Sequence, residues 1–333
     1  MAAVIALRPA RAEPTSSPTQ LVRIVGMREE ATDVLSLELR PAGNGTPAFE
    51  PGAHLELHLP GGLRRAYSLV NAPGEAHCYR IAVHRHPESR GGSRTLHELL
   101  RVGDMVQVGA PRNLFPLAND GRPCVLIAGG IGITPLWAMA QRLAAEGRDW
   151  QLHYAARERG RAAFLDALLA LDARRVHAYF DGEPGGRILD LAEVVTSVDP
   201  RAHLYCCGPQ RMLQAFETAT RCHDPARVHL ERFGGEASPQ GAGEQAAFDV
   251  VLARSGRTVR VEGGCTILDA LTAAGIDAPS SCREGFCGTC ETRVIEGIPE
   301  HADSVLSAAE RNAGRSMMIC CSRSRTNSLV LDL

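Results

Sequence analysis

The stretch Cys282-Arg-Glu-Gly-Phe-Cys287-Gly-Thr-Cys290, followed after 29 residues by the pair Cys320 and Cys321, decides how this chain is read. A Cys-x4-Cys-x2-Cys run with a distant fourth cysteine is the plant-type spacing for a [2Fe–2S] cluster. Such a cluster is a compact anionic group that needs four thiolates, and one tight loop can wrap three of them around it. The fourth comes from elsewhere. Gly285 and Gly288 stand between the ligands, where the backbone must turn sharply and bring N–H groups towards the sulfurs. Hydrogen bonds of that kind tune the reduction potential. Structural zinc is the other reading of Cys-x-x-Cys, but zinc sites usually pair two such knuckles or add histidines at short spacing, and this chain does neither. Neighbouring side chains in an extended segment point to opposite sides, so one of Cys320 and Cys321 closes the cluster and the other does not.

Working outward, the chain divides into modules. After a loose N-terminal tail (1–20), short alternating segments between Gly, Pro and Asn turns fill 21–118: Leu21–Val25, Val34–Leu39, His54–Leu59, Ala66–Val70, Tyr79–His84 and Met105–Val108. Their spacing predicts an antiparallel β-barrel or sandwich. Over 119–233 the strands Val125–Ala128, Gln151–Ala155, Val176–Tyr179, His203–Cys206 and Arg227–Leu230 alternate with helical patterns, which predicts an α/β domain with a parallel sheet. Residues 234–245 are rich in Gly, Ala, Glu and Ser and read as a linker. The last unit, 246–333, opens with a hairpin (Phe248–Leu252, Thr258–Val261) and a helix over Thr266–Ala274, with Thr266 as its N-cap.

Composition limits the function classes. With 333 residues, 44% of them hydrophobic and 22% charged, the chain supports several cores rather than disorder. A net charge of −2 speaks against nucleic acid as a partner. All 36 basic residues are arginine, so neither a Walker-type lysine nor a lysine Schiff base carries the chemistry. Of eleven cysteines, four belong to the cluster and seven remain, an odd number without framework spacing, as in a reducing compartment. The apolar run Val125–Ala140 is broken by three glycines and Pro135, so no membrane span is expected and the chain is read as cytoplasmic. The twelve histidines, His84 and His86 among them, are not arranged as a metal site.

Three further stretches suggest nucleotide chemistry. Arg65-Ala66-Tyr67-Ser68-Leu69, placed at the start of a barrel strand, offers a guanidinium, an aromatic face and a hydroxyl, which together suit a flavin nucleotide. An ordinary strand with a surface arginine is the alternative. Arg90-Gly91-Gly92-Ser93, leading into a helix over Ser93–Leu100, puts free N–H groups at a helix start, a phosphate seat. Ala128-Gly-Gly130-Ile-Gly132-Ile-Thr134-Pro135 joins a strand to a helix as dinucleotide turns do, although Pro135 stands where the third glycine of G-x-G-x-x-G belongs. Cys206-Cys207-Gly208-Pro209 is a second strand-to-helix turn on the same rim. Arg157 and Arg159 suit either surface ion pairs or a 2′-phosphate.

Taken together, Arg-x-Tyr-Ser-Leu, Gly-Gly-Ile-Gly-Ile-Thr-Pro, Tyr-Cys-Cys-Gly-Pro, the cluster and the closing Leu-Val-Leu-Asp-Leu resemble the phthalate dioxygenase reductase type of flavin iron–sulfur reductase, including vanillate demethylase reductases. The likeness covers nearly everything from Leu21 to Leu333. It implies a ferredoxin-reductase-like core and a C-terminal α+β β-grasp ferredoxin. It also implies FMN held at its phosphate by Arg65, Gly91, Gly92 and Ser93 and at its ring by Tyr67 and Ser68, with Ala66, Ala82 and Val83 in the same binding set. Gly130, Gly132, Thr134, Pro135, Cys207, Gly208 and Pro209 would hold the nicotinamide cofactor, with Ser68, Thr134 and Cys207 nearest the chemistry and Phe233 covering the flavin ring. Cys320-Cys-Ser322-Arg323 resembles the Cys-x-Ser-Arg ending of oxygenase reductases, which makes Cys320 the fourth ligand beside Cys282, Cys287 and Cys290. Arg232, within Glu231-Arg232-Phe233, departs from the family pattern in a place where it can alter cofactor entry. The function implied is a monomeric NADH-dependent reductase feeding a Rieske-type terminal oxygenase. The rivals are a reductase for another acceptor or for NADPH, and a redox-sensing iron–sulfur protein.

Overall fold

The computed structural model describes residues 19–333 apart from 44–47, 73, 76, 88, 90, 234–245, 281, 282, 284, 286, 287, 304 and 307. The linker and two of the cluster cysteines, Cys282 and Cys287, thus lie outside the described residues.

The first unit contains β1 (Thr19–Ala31), β2 (Val34–Pro41), β3 (Ala53–Leu59), β4 (Leu63–Ser68), β5 (Tyr79–His84), a single helical turn α1 (Gly92–Arg94), β6 (Met105–Gly109) and β7 (Arg112–Asn113). All pairings are antiparallel, in the order β4-β3-β6-β1-β2-β5 with β7 on β3. A Leu69–Ile81 bridge joins the two outer strands and closes the barrel. Alternation supplies the core: Leu55, Leu57 and Leu59 point inward from β3 while Glu56 and His58 stay half-buried. β1 begins at Thr19, inside the expected tail, and Gln20 is tied down through Nε2 donating to the Tyr79 hydroxyl at 2.6 Å.

The second unit runs β8 (Cys124–Gly129), α2 (Ile133–Ala145), β9 (Trp150–Ala156), α3 (Leu165–Asp172), β10 (Val176–Phe180), α4 (Leu191–Ser197), β11 (His203–Cys207), α5 (Gln210–Ala219) and β12 (Val228–Glu231). The sheet is parallel with order β10-β9-β8-β11-β12. Every residue of β8 is buried because helices cover both faces: Leu126 and Ala128 face one core, Val125 and Ile127 the other. The chain winds outward from β8 to β10 and then restarts at β11, so the direction reverses between β8 and β11. Crevices at such switch points bind ligands.

The third unit contains β13 (Phe248–Leu252), β14 (Thr258–Val261), α6 (Ile267–Ala273), β15 (Glu291–Glu296), β16 (Pro299–Glu300), α7 (Ala308–Ala313), β17 (Ser316–Met318), β18 (Arg323–Ser324) and β19 (Ser328–Leu331). Its mixed sheet, β14-β13-β19-β15-β17, pairs β13 with β19 in parallel, and α6 buries Ile267, Leu268 and Leu271 against it, the β-grasp arrangement. Thr266 caps α6: its Oγ1 accepts from the Asp269 N–H at 3.0 Å and bonds the Asp269 carboxylate at 2.7 Å. Thr266→Ala is expected to lower the stability of this unit by about 1 kcal/mol, read as a lower urea midpoint. Among the described residues no helix is long and apolar enough to cross a membrane.

Candidate functional site

Arg65, Ala66, Tyr67 and Ser68 occupy the last four positions of β4, not the start of a strand as the sequence suggested. The Pro60-Gly61-Gly62 turn explains the difference. Its glycines adopt φ of +77° and +74°, the hairpin reverses at once, and pairing with β3 is already in place at Leu63–Leu59. Tyr67 lies against the barrel core, where burial pushes its hydroxyl pKa up against the opposing pull of Arg65. The Ser68 hydroxyl is buried without a hydrogen-bond partner. An orphaned buried hydroxyl costs about 1–3 kcal/mol, and the polar edge of a flavin ring is a group that would satisfy it. On β5, Ala82 and Val83 are both buried and face different cores, and the Val83 carbonyl is engaged by His97 Nε2 at 2.9 Å.

The candidate phosphate seat departs from the helix expected over Ser93–Leu100. α1 is one turn, followed by a wider π-turn over Thr95–Leu99 in place of the regular helix expected to Leu100. Gly91 has φ of +96°, and a Cβ on Gly92 would stand 2.6 Å from Arg65 Cγ. Only glycine lets Arg65 lie across this helix start. The Ser93 hydroxyl donates to Ser89 Oγ at 2.9 Å. Arg90 lies outside the described residues.

The two glycine-rich turns of the α/β domain touch each other. A Cβ on Gly132 would fall 2.2 Å from the Cys207 carbonyl oxygen, and one on Gly208 would approach Met212 Sδ at 2.7 Å and Gly129 Cα at 3.1 Å. Gly130 has φ of +53°, and a Cβ there would meet nothing within 4 Å. Thr134 and Pro135 are buried in the first turn of α2, with Thr134 Oγ1 committed to the Ile131 carbonyl at 3.0 Å. Pro209 caps α5. Cys207 is fully buried, and burial, reinforced by Glu231, pushes its thiol pKa well up, so it is a neutral thiol. Gly132 therefore packs against Cys207 and Gly208 at the switch point, and Gly129 against Pro209, whereas Gly130 faces open space and the Thr134 hydroxyl is spent inside its own turn.

Phe233, just past β12, is 41% exposed. Arg232 does not reach freely across the crevice, because Glu217 of α5 holds its guanidinium at 2.7 Å. Arg159 is likewise engaged on the surface, with Asp166 at 2.8 Å. Glu231 was missed by the sequence reading. It pairs in register with Cys207, its Oε2 is buried without a partner, and burial pushes its pKa up to about 8. The folded protein holds this proton up to about pH 8, while the unfolded chain loses it near 4.5, so stability falls as pH rises through that window. Glu231→Gln is expected to remove this dependence. Its urea midpoint should rise relative to the parent protein between pH 5 and pH 8, and an unchanged difference would contradict the assignment.

In the candidate cluster loop, Gly285 and Gly288 adopt φ of +73° and +70°, the left-handed conformation expected for sharp turns between the cysteines. Cys290 and Cys320 are each 3% exposed in the same apolar core, and the Ile319 N–H donates to the Cys290 carbonyl at 3.4 Å. Cys321 is half-buried, with Sγ 3.7 Å from the Met318 carbonyl. Asp303 braces the loop: a Cβ on Gly285 would meet Asp303 Cα at 3.0 Å, and the Asp303 carboxylate accepts from the Val305 and Leu306 N–H groups at 3.1 and 2.9 Å. Buried thiols on glycine-bent backbone are a donor set suited to an iron–sulfur cluster. This loop docks on the flavin barrel. Arg112 Nη1 donates to Thr289 Oγ1 at 2.7 Å, Arg64 Nη1 donates to the Ser280 carbonyl at 3.3 Å, and Leu114 lies beside Gly288.

Comparison with known proteins agrees with this arrangement. The 2Fe-2S iron–sulfur cluster binding domain family matches residues 250–325, and the oxidoreductase NAD-binding domain family matches 126–218. The chain is 53% identical over 320 residues to the phenoxybenzoate dioxygenase subunit beta of Ectopseudomonas oleovorans, covering 96% of this chain and 98% of that one. It is similar to the solved structure of an intact type IV self-sufficient cytochrome P450 monooxygenase, with a TM-score of 0.86 and 39% identity over 97% of this chain and 43% of that one. Phthalate dioxygenase reductase, described as a modular structure for electron transfer from pyridine nucleotides to [2Fe–2S], matches with a TM-score of 0.70 and 38% identity over 95% of this chain and 98% of that one. A likeness that runs through all three units at this identity means that the chain belongs to the phthalate dioxygenase reductase family of flavin and iron–sulfur oxidoreductases.

Proposed function

We propose that this protein is the NADH-dependent reductase component of an oxygenase system. The observation that carries the reading is the contact of the cysteine loop with the barrel through Arg112–Thr289 and Arg64–Ser280, which supports short-range electron transfer between them. FMN, when bound, supplies the conversion of a two-electron hydride into single electrons, and the [2Fe–2S] cluster takes those one at a time. The chain's own residues bind and orient. Arg65 and the Gly91-Gly92-Ser93 turn hold the flavin phosphate, while Tyr67 and Ser68 face the ring. Gly132, Cys207 and Gly208 shape a crevice for the nicotinamide, and Phe233 closes over the flavin. Cys207 as a neutral thiol and Glu231 as a neutral acid keep charge away from the ring's approach. Cys282, Cys287, Cys290 and Cys320 ligate the cluster.

The partner is a terminal oxygenase, and the Rieske type is favoured by the likeness to dioxygenase subunits. A haem oxygenase is the second reading, favoured by the close match to a self-sufficient P450. Turnover with a panel holding both oxygenase types, each supplied with NADH or NADPH, tests the proposal. Product formation with a Rieske-type oxygenase and NADH is the expected result. Delivery only to haem enzymes, or a preference for NADPH, would correct the partner or the cofactor.

A further inference from the structure

We propose that Glu38, His77 and Cys78 form a site for a divalent transition-metal ion of the zinc class, built from residues that belong to neither the cluster nor the nucleotide crevice. One ligand atom from each residue, a carboxylate oxygen, an imidazole nitrogen and a thiol sulfur, lies within 4.8 Å of the other two. Glu38 is on β2, and His77 and Cys78 immediately precede β5. Consecutive side chains in a strand point to opposite sides. His77 sits instead in a bend, which lets it share a centre with its neighbour.

The donor set selects the metal. Calcium and magnesium take oxygen ligands, whereas zinc accepts thiolate, imidazole and carboxylate together, with water in the fourth position when the protein supplies three ligands. Bonds of about 2.0–2.3 Å in a tetrahedral site separate the donors by roughly 3.3–3.8 Å, so closure asks for a shift of about 1 Å. The exposed His77 side chain can make that shift.

The surroundings are braced and balanced in charge. Asn71 Nδ2 donates to the Cys78 carbonyl at 3.0 Å and stands 3.9 Å from Cys78 Sγ, while Asn71 Oδ1 accepts from the Arg80 N–H at 2.6 Å. This amide supports the sulfur from the second layer. Arg80 is matched by Glu75 at 3.3 Å, and Arg40 pairs with Glu38 itself at 3.3 Å, so a bound ion shares or displaces that contact. Burial pushes the Cys78 thiol pKa up, with Glu38 adding to it, and a bound dication reverses that preference by ligating the thiolate and releasing a proton. Occupancy would tie β2 to the segment leaving the flavin strand, where the Val70 N–H donates to the Arg80 carbonyl at 2.8 Å.

Cobalt(II) added to the full-length protein with its FMN and cluster in place is the probe. The readouts are the thiolate-to-cobalt charge-transfer absorption in the difference spectrum and the bound metal per chain by equilibrium dialysis. One cobalt per chain is expected, displaced by zinc, with the band lost in Cys78→Ser. His77→Ala alters an exposed residue and leaves the core intact, and it should weaken binding by more than about tenfold, the loss known even for residues one layer further out. The proposal is overturned by the absence of a band, or by a band that survives both substitutions, as binding at Cys222 would. Cobalt uptake that matches iron released from the cluster also overturns it.

Discussion

Cys320→Ser is expected to abolish the visible spectrum of the cluster and the reduction of any acceptor served by it, while leaving NADH-dependent bleaching of the flavin intact. The sulfur at 320 is buried in the ferredoxin core with Cys290, and a hydrogen bond between Ile319 and Cys290 fixes the two segments together. A hydroxyl is a poor replacement for a thiolate on iron, and here it would also be a polar group without water. Cys321→Ser should keep both the spectrum and the iron content: its thiol lies against Gly285, but it is half-buried, unlike Cys320, and bonds the Met318 carbonyl at 3.7 Å. Iron analysis and visible absorption of the two variants decide between them. Loss of the cluster in Cys321→Ser with retention in Cys320→Ser would reverse the assignment.

Gly132→Ala is the second large effect. The added methyl would stand 2.2 Å from the Cys207 oxygen, 2.5 Å from its carbonyl carbon and 2.8 Å from the Gly208 nitrogen. All three are backbone atoms, so no change of rotamer relieves the clash, and the two turns must separate. A displacement of about 1 Å at a positioning element costs roughly 100-fold in rate. NADH-dependent reduction of a dye acceptor should fall by about that factor, whereas dithionite should still reduce the cluster fully. A rate within about twofold of the parent protein would show that these turns do not form the nicotinamide crevice.

Much of the architecture was legible because it rests on local periodicity. The alternation of Leu55, Leu57 and Leu59, the apolar run Cys124–Gly129 and the Thr266 cap each announce an element from within a few residues. The glycines were legible for the same reason, and Gly285 and Gly288 do adopt the left-handed conformation that their spacing between cysteines implied. What escaped depends on packing between distant segments. Glu231 ends the short strand Val228–Glu231 and looks like an ordinary surface acid, and the burial of its carboxyl Oε2 appears only when β12 lies against Cys207. The docking residues Arg112 and Thr289 are 177 positions apart, and nothing local marks either one. The flavin strand was placed three residues late because Pro60-Gly61-Gly62 reads as a loop, although it is a tight reversal with pairing on both sides.

The central claim is that electrons enter at the crevice between β8 and β11 and leave through the cluster. Anaerobic rapid mixing with NADH, following flavin absorbance and the reduction of added cytochrome c in the parent protein and in Cys320→Ser, tests it most directly. Flavin bleaching at the same rate in both proteins, with cytochrome c reduced only by the parent, is the predicted result. Cytochrome c reduction by Cys320→Ser at the parental rate, or a flavin that NADH does not bleach in either protein, would contradict it.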